Sequence, residues 1–291
     1  WRAGKWHRPD CPWCWRRRGI RVPETKKHTF WQCPRWEATR RRFRGQLAKR
    51  NFEWREGEIP VDALATEAFL CCGLPNEDPA LEAAFGDLPV ERYEVRDPPT
   101  RRPEDEAKER WRNGRLLGAS DGSGDFPREE RLRRCGYALY YGEDHPWNLA
   151  DPLAGQIQTV PRSELRIFLD IIPRVQVPQT ILCDCLGVVK GMQQLLRGGA
   201  VYRDDHQDLW AVIGREIALM QDPQMLEVLW VKAHLTRSDL AAGRIDKDDF
   251  ELNEAVDINA KKVGKTFRPA EEQVKGLQRR IACTTLVQKM Y

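Results

Sequence analysis

The stretch from Gly114 to Gly124, Gly-Arg-Leu-Leu-Gly-Ala-Ser-Asp-Gly-Ser-Gly, drives an apolar strand into a single aspartate and then into glycines. Asp121 therefore sits where a strand ends and the backbone must turn. Three further carboxylates recur at comparable points: Glu164 near the start of a helix, Asp184 at the end of a strand, and Asp257 inside a late helix. Packed together, such acids repel and raise one another's pKa values, so a charged cluster is stable only around hard cations.

The segments between these acids alternate in period. Residues Arg115–Asp121, Cys135–Tyr141 and Gly155–Thr159 read as three successive strands, the first two joined by a charged loop. Leu165, Phe168, Leu169 and Ile172 then fall at helical spacing, with Pro161 tolerated in the first turn. Thr180–Asp184 and Leu226–Lys232 read as strands. Val188 to Leu195, Leu209 to Met220 and Asn253–Val263 read as helices. Three antiparallel strands followed by helical crossovers predict a mixed five-stranded sheet with helices on its faces, an α/β fold. By strand alternation Cys183 and Cys185 share one face and Asp184 takes the other; the two cysteines read as core.

Five motifs now stand in order: Ser-Asp-Gly-Ser at 120–123, Thr-Val-Pro-Arg-Ser-Glu-Leu at 159–165, Cys-Asp-Cys-Leu-Gly-Val-Val at 183–189, Trp-Val-Lys-Ala-His at 230–234 and Asn-Glu-Ala-Val-Asp at 253–257. In order and spacing they resemble the ribonuclease H domain, most of all the version carried by retroelement polyproteins of the non-long-terminal-repeat type. The resemblance covers roughly Asn113 to Gly264 and implies a ribonuclease H-like sheet. It implies hydrolysis of the RNA strand of an RNA–DNA hybrid by two Mg2+ ions (Mn2+ being an alternative) about 3.5–4 Å apart. Asp121, Glu164, Asp184 and Asp257 would be the catalytic metal ligands, with Asp121 bridging. His234 would assist proton transfer or product release. Gly122, Ser123 and Thr159 are candidates to read the 2′-hydroxyl, and Asn253 is a supporting or loop-anchoring residue. The family's usual serine is replaced by Cys185, and the asparagines that cellular members carry before the helix glutamate give way to Val160-Pro161-Arg162. An inactive nucleic-acid-binding remnant, and an integrase- or resolvase-like nuclease on the same fold, are the competing readings. Tyr202-Arg-Asp-Asp205 matches a reverse-transcriptase signature, but it directly precedes a helix, where an Asp serves as an N-cap.

The remainder of the 291-residue chain is organised by charge and cysteine. Residues 1–55 hold 17 lysines and arginines against 4 acids, a balance of +13, which leaves 31 against 40, or −9, for the rest. Trp1, Trp6, Trp13, Trp15, Trp31, Trp36 and Trp54 interleave with the basic residues. Positive charge binds phosphates and aromatic faces stack on bases, so nucleic acid is the expected partner, through Arg16, Arg17, Arg18, Arg40, Arg41, Arg42 and Arg44. Within this region Cys11, Cys14, His28 and Cys33 spell Cys-x2-Cys-x13-His-x4-Cys, a spacing suited to one structural Zn2+. It looks more like the zinc segment that follows the polymerase in non-long-terminal-repeat elements than like a compact retroviral knuckle. His7 is an alternative to His28.

The expected layout is a zinc module over 1–36, a basic amphipathic helix over 37–55 and an acidic, Pro-rich connector over 56–110. A ribonuclease H-like domain over 111–266 and a tail over 267–291 follow. Short helical patches are expected at Val61–Cys72 and Pro79–Phe85, with Cys71-Cys72 as a buried apolar pair. No apolar run reaches membrane-spanning length, and nine cysteines without a secretory signal fit a reducing interior, nuclear or cytoplasmic. A first residue that is Trp reads as a piece of a longer polypeptide, the rest of a reverse-transcriptase polyprotein being a partner in that case.

Overall fold

The computed structural model describes residues 10–55, 57–62, 64–66, 69–70, 97–126, 129–203 and 205–290. The expectations at His7, Trp1, Trp6, Cys71-Cys72, the patch Pro79–Phe85 and Asp204 lie outside these residues. So does most of the patch from Val61 to Cys72. The chain divides into two compact units, Trp1–Ala83 with Pro269–Tyr291, and Ala84–Arg268.

The second unit is built around a mixed sheet. A short strand β1 (Trp111–Arg112) turns through Asn113 and Gly114, both at positive φ (53° and 73°), into the ten-residue β2 (Arg115–Gly124). Two left-handed residues in a two-residue loop suit the twist of a hairpin. The other strands are β3 (Cys135–Tyr140), β4 (Leu149–Pro152), β5 (Gln179–Cys183) and β6 (Leu226–Trp230). Their order is β4-β3-β2-β5-β6, with β1 against β2. Pairings β2–β3 and β3–β4 are antiparallel, whereas β2–β5 and β5–β6 are parallel. The expected mixed five-stranded α/β sheet is present, with β1 as an addition.

Helices α3 (Val160–Arg166), α4 (Phe168–Ile171), α5 (Leu186–Leu196) and α6 (Gln207–Ala218) cover one face over a large apolar core that includes Leu116, Leu165, Ile181 and Ile213. The short α7 (Arg237–Ala241) leads into α8 (Lys247–Gly264), whose Leu252, Val256 and Ala260 pack on Leu117, Ala119 and Ala138 of the opposite face. Here α8 lies flush on β3, because a Cβ at Gly136 would stand 2.5 Å from the Gly264 nitrogen.

Three local expectations change. The third strand is β4, not Gly155–Thr159; Gly155 has φ 82° and Ile157 is exposed. Gln158 instead serves as a side-chain bracket, accepting from Cys135 N at 2.8 Å and donating to the carbonyls of Leu153 and Gly155. The helix carrying Leu165, Phe168, Leu169 and Ile172 starts at Val160 with Pro161 in its first turn as expected, but breaks into α3, α4 and a 3-10 turn, although all four of its apolar residues are buried. The residue capping α6 is His206, at φ 60°, so Asp205 is not the N-cap.

In the first unit, α1 (Pro12–Arg18) and α2 (Glu37–Ala48) are joined by α9 (Glu271–Met290), which occupies the segment read as a tail. Cys283, Leu286, Val287 and Met290 share a core with Trp31, Leu47, Phe52 and Phe69. Arg279 donates to the carbonyls of Arg50 and Asn51 and pairs with Asp62 at 2.8 Å.

Candidate metal centres

Strand register brings the acids together. Ser120 lies opposite Cys183 in the parallel β2–β5 pair, so the next residue on each strand is an aspartate. Asp184 follows the end of β5, whereas Asp121 does not end its strand as expected: β2 runs on to Gly124 against β3, and Asp121 sits one residue past the last parallel pair, beside the crevice that opens where β5 stops. Glu164 arrives from α3, and only glycine at 122 lets it approach. A Cβ there would stand 2.5 Å from Ser163 Oγ and 2.6 Å from the Glu164 nitrogen. One carboxylate oxygen each from Asp121, Glu164 and Asp184 fall within 4.8 Å of one another.

Glu164 is 2% exposed and Asp121 6%. Burial, followed by the charges of Asp121 and Asp184, holds Glu164 well above the usual carboxylate range. Burial, then Asp184 and Asp257, push Asp121 up to about 7 against the weaker pull of Lys261 and the Gly122 N–H. Asp184 is raised mainly by burial, with His234 opposing. Asp121 Oδ2 is buried with no hydrogen-bond partner among the described residues. Such an orphaned acceptor, beside two carboxylates that cannot all ionise unaided, is the oxygen donor set of a hard divalent cation, and the residues fit Mg2+ or Mn2+.

Asp257 is not one of the three acids that converge. Its Oδ2 accepts from Lys261 at 2.7 Å, one helical turn on. It lines a cavity of about 300 Å³ together with Asp184, His234 and Asn253, and its charge still reaches Asp121. His234 holds a left-handed φ of 55° just after β6. Ser123 is partly buried on β2, and Thr159 caps α3, its hydroxyl accepting from Arg162 N and lying 3.1 Å from His206 Nε2. Sequence reasoning did not single out His206, which lines a second cavity of about 740 Å³ with Arg133, Thr159, Cys185, Arg203 and Trp210. Thr159 and His206 are far apart in the chain, and no spacing rule connects them. Nor did it link Cys183 to the acids; its thiol lies 3.7 Å from Glu164 Oε2.

No protein-family model matches the sequence, and none of the curated proteins does. Among solved structures the chain is similar to the N-terminal ribonuclease H domain of an Rv2228c protein from Mycobacterium tuberculosis, solved as a fusion with maltose-binding protein. Identity is 12% and the TM-score 0.32, covering 52% of this chain and 95% of that one. It is also similar to RNase H1 of the halophilic archaeon Halobacterium salinarum NRC-1, at 13% identity and TM-score 0.31, covering 52% and 97%. The fold assignment stands on strand order and register.

The first unit carries the second centre. Cys11, Cys14, His28 and Cys33 are all buried, with one ligand atom from each within 4.8 Å of the others. Cys33 Sγ lies 3.8 Å from Cys11 Sγ and 3.9 Å from Cys14 Sγ, and His28 Nε2 lies 3.4 Å from Cys14 Sγ. Zn–S bonds of about 2.3 Å set tetrahedral sulfurs about 3.8 Å apart, so the donor set fits zinc. His28 and Cys33 are presented by a π-turn, His28–Gln32, in which Cys33 N donates to the His28 carbonyl at 2.7 Å. Burial, then the Cys11 and Cys33 thiols, push Cys14 up to about 12, and burial lowers His28. Thiols so protonated must release protons on binding metal.

The basic face is narrower than expected. Arg16, Arg17, Arg18, Arg41 and Arg42 are exposed, and Arg41 pairs with Glu37. Arg40 is 1% exposed, its guanidinium donating to the carbonyls of Phe30 and Cys33, so it is a brace inside the unit and not part of a phosphate-binding face. Arg44 stacks over Trp54, and Trp31 is fully buried with its indole donating to the Leu70 carbonyl, which removes it from the candidates for base stacking.

Among the described residues, no helix is long and apolar enough to cross a membrane.

Proposed function

We propose that this protein is a metal-dependent endoribonuclease that cuts the RNA strand of RNA–DNA hybrids, with its basic, zinc-binding unit holding nucleic acid. The observation that carries the reading is the convergence of Asp121, Glu164 and Asp184 at the carboxyl edge of a mixed sheet with one buried oxygen left without a partner. Resemblance of the ordered motifs to retroelement ribonuclease H domains supports the substrate class and a polyprotein origin.

When bound there, Mg2+ would polarise the scissile phosphate and lower the pKa of water. The chain's own residues set up the rest. Asp121, Glu164 and Asp184 hold negative charge at one point, and burial keeps that charge unstable until a cation arrives. Asp257 and His234 line the cavity next to Asp184, where a carboxylate and an imidazole can supply or take a proton at the departing oxygen. Ser123, two residues beyond Asp121 on β2, and Thr159, the cap of the helix that carries Glu164, bear hydroxyls able to meet a 2′-hydroxyl. Asn253 shares the cavity with Asp257 one helical turn away.

Purified full chain should cut the RNA strand of a hybrid in Mg2+ and leave DNA duplex intact, and Asp121→Asn should abolish the cut. Binding without cleavage, with Asp121→Asn behaving as wild type, would assign the chain to inactive nucleic-acid-binding proteins. Cleavage of DNA duplex would point to an integrase- or resolvase-like nuclease.

A further inference from the structure

We infer that Trp230 is a positioning residue for Asp184, an inference that rests on the metal-dependent reading above. Strand β5 ends at Cys183 and helix α5 begins at Leu186, so residue 184 lies between a sheet ladder and a helix. The neighbouring carbonyls are provided for: Val231 N donates to Cys183 O at 3.1 Å, and Val189 N donates to Cys185 O at 3.0 Å. The carbonyl of Asp184 belongs to neither system and lies at the exposed edge of the sheet, where water can replace a lost donor without fixing the peptide's orientation. The indole Nε1 of Trp230 donates to it at 3.0 Å.

Trp230 is the last residue of β6 and lies opposite Cys183 in the ladder. Trp230 and the residue that follows the strand, Val231, thus hold consecutive carbonyls of the acid-bearing turn, Val231 through its backbone and Trp230 through its side chain. This pins the peptide from which the Asp184 side chain departs, while the Cys183 thiol meets Glu164 Oε2 on the other side of the same turn. The Trp230 side chain is not a core element, since the residue is 49% exposed at the edge of the sheet. A phenyl ring would occupy the same half-buried place, so the N–H is what tryptophan adds. Groups that orient a metal ligand through hydrogen bonds tune affinity as well as geometry.

The test compares wild-type full chain with Trp230→Phe and Trp230→Tyr, neither of which can donate from the indole position. Mn2+ titrated alone into each, followed by calorimetry, reads the acids without substrate. Both variants should bind Mn2+ about 3- to 10-fold more weakly, the range for the net loss of one neutral hydrogen bond. Their metal-free melting midpoints should stay near that of wild type. At saturating Mn2+ the KM for hybrid should be unchanged and kcat should recover. Unchanged Mn2+ affinity in a folded variant overturns the inference and leaves the nuclease reading intact. A raised KM at saturating Mn2+ with unaltered Mn2+ affinity overturns it in favour of base stacking by the indole. Absence of Mn2+ binding by wild type removes the metal-dependent reading and this inference with it.

Discussion

Gly122→Ala adds one methyl group at the place where α3 crosses β2. The new Cβ would stand 2.6 Å from the Glu164 backbone nitrogen, whereas ordinary contact begins at 3.4 Å, so α3 must withdraw by the difference, 0.8 Å. Backbone cannot rotate aside as a side chain can, and Ser163 Oγ at 2.5 Å blocks the same path. Overpacking of this kind costs about 1–3 kcal/mol, or a fall in melting temperature of about 2–12 °C for a unit of this size. The larger effect falls on the chemistry. Glu164 would be carried from Asp121 by most of an ångström, and misplacement on that scale costs about 100-fold in rate. Hybrid cleavage at saturating Mg2+, with a thermal melt of the same preparation, reads both effects. Gly45→Ala is the counterpart: Gly45 lies inside α2 with open space around it, so alanine there should stabilise by about 0.5–1 kcal/mol. Wild-type cleavage and melting in Gly122→Ala would refute the claim that the close crossing places Glu164.

Other outcomes follow from the same geometry. Asp121 is raised from 3.8 to about 7, so the native state binds more protons than the unfolded chain across that range. Its contribution to metal-free stability is therefore fully present below about pH 4 and lost as pH rises through about 7. The melting difference between wild type and Asp121→Asn in chelator should become less favourable to wild type from pH 5 to pH 8. Mg2+ should restore wild type most at the higher pH, and a difference independent of pH contradicts the assignment. One zinc per chain should co-purify, be removed by strong chelators with unfolding of the first unit, and be lost in Cys33→Ser; metal analysis of wild type showing none would remove that centre. Arg16, Arg17 and Arg18 changed together to Glu should weaken hybrid binding and flatten its salt dependence, while Arg40→Lys should lower the stability of the first unit by about 1–3 kcal/mol through lost buried hydrogen bonds. Filter binding and thermal melts separate these two arginine roles.

Two of the acids were legible because each follows an apolar strand run, although β2 continues past Asp121 to Gly124 and only β5 stops short of its aspartate. Asp121 and Asp184 each terminate an apolar run, and parallel register does the rest. The zinc ligands were equally legible from spacing, though the π-turn that presents His28 was not. Leu149–Pro152 escaped notice because Asp and Pro argue against a strand; an edge position, pairing only with β3, tolerates both. Gly155–Thr159 looked like a strand because Ile157 sits between glutamines, and nothing in that alternation shows that Gln158 turns inward to serve three backbone groups. Arg40 carried a signal that went unused. With Phe43 and Leu47 it completes the i, i+3, i+7 stripe of α2, and charge hid it. The C-terminal helix shares its core with segments more than two hundred residues away, and the alternation of its own residues does not reveal them.

The most direct measurement is anomalous diffraction from crystals of the full chain soaked in Mn2+ with a hybrid oligonucleotide. Anomalous density among the carboxylates of Asp121, Glu164 and Asp184, with the RNA strand of the hybrid lying across it, is the predicted result. Density confined to the cysteines and His28, or hybrid bound away from those acids, would contradict the account.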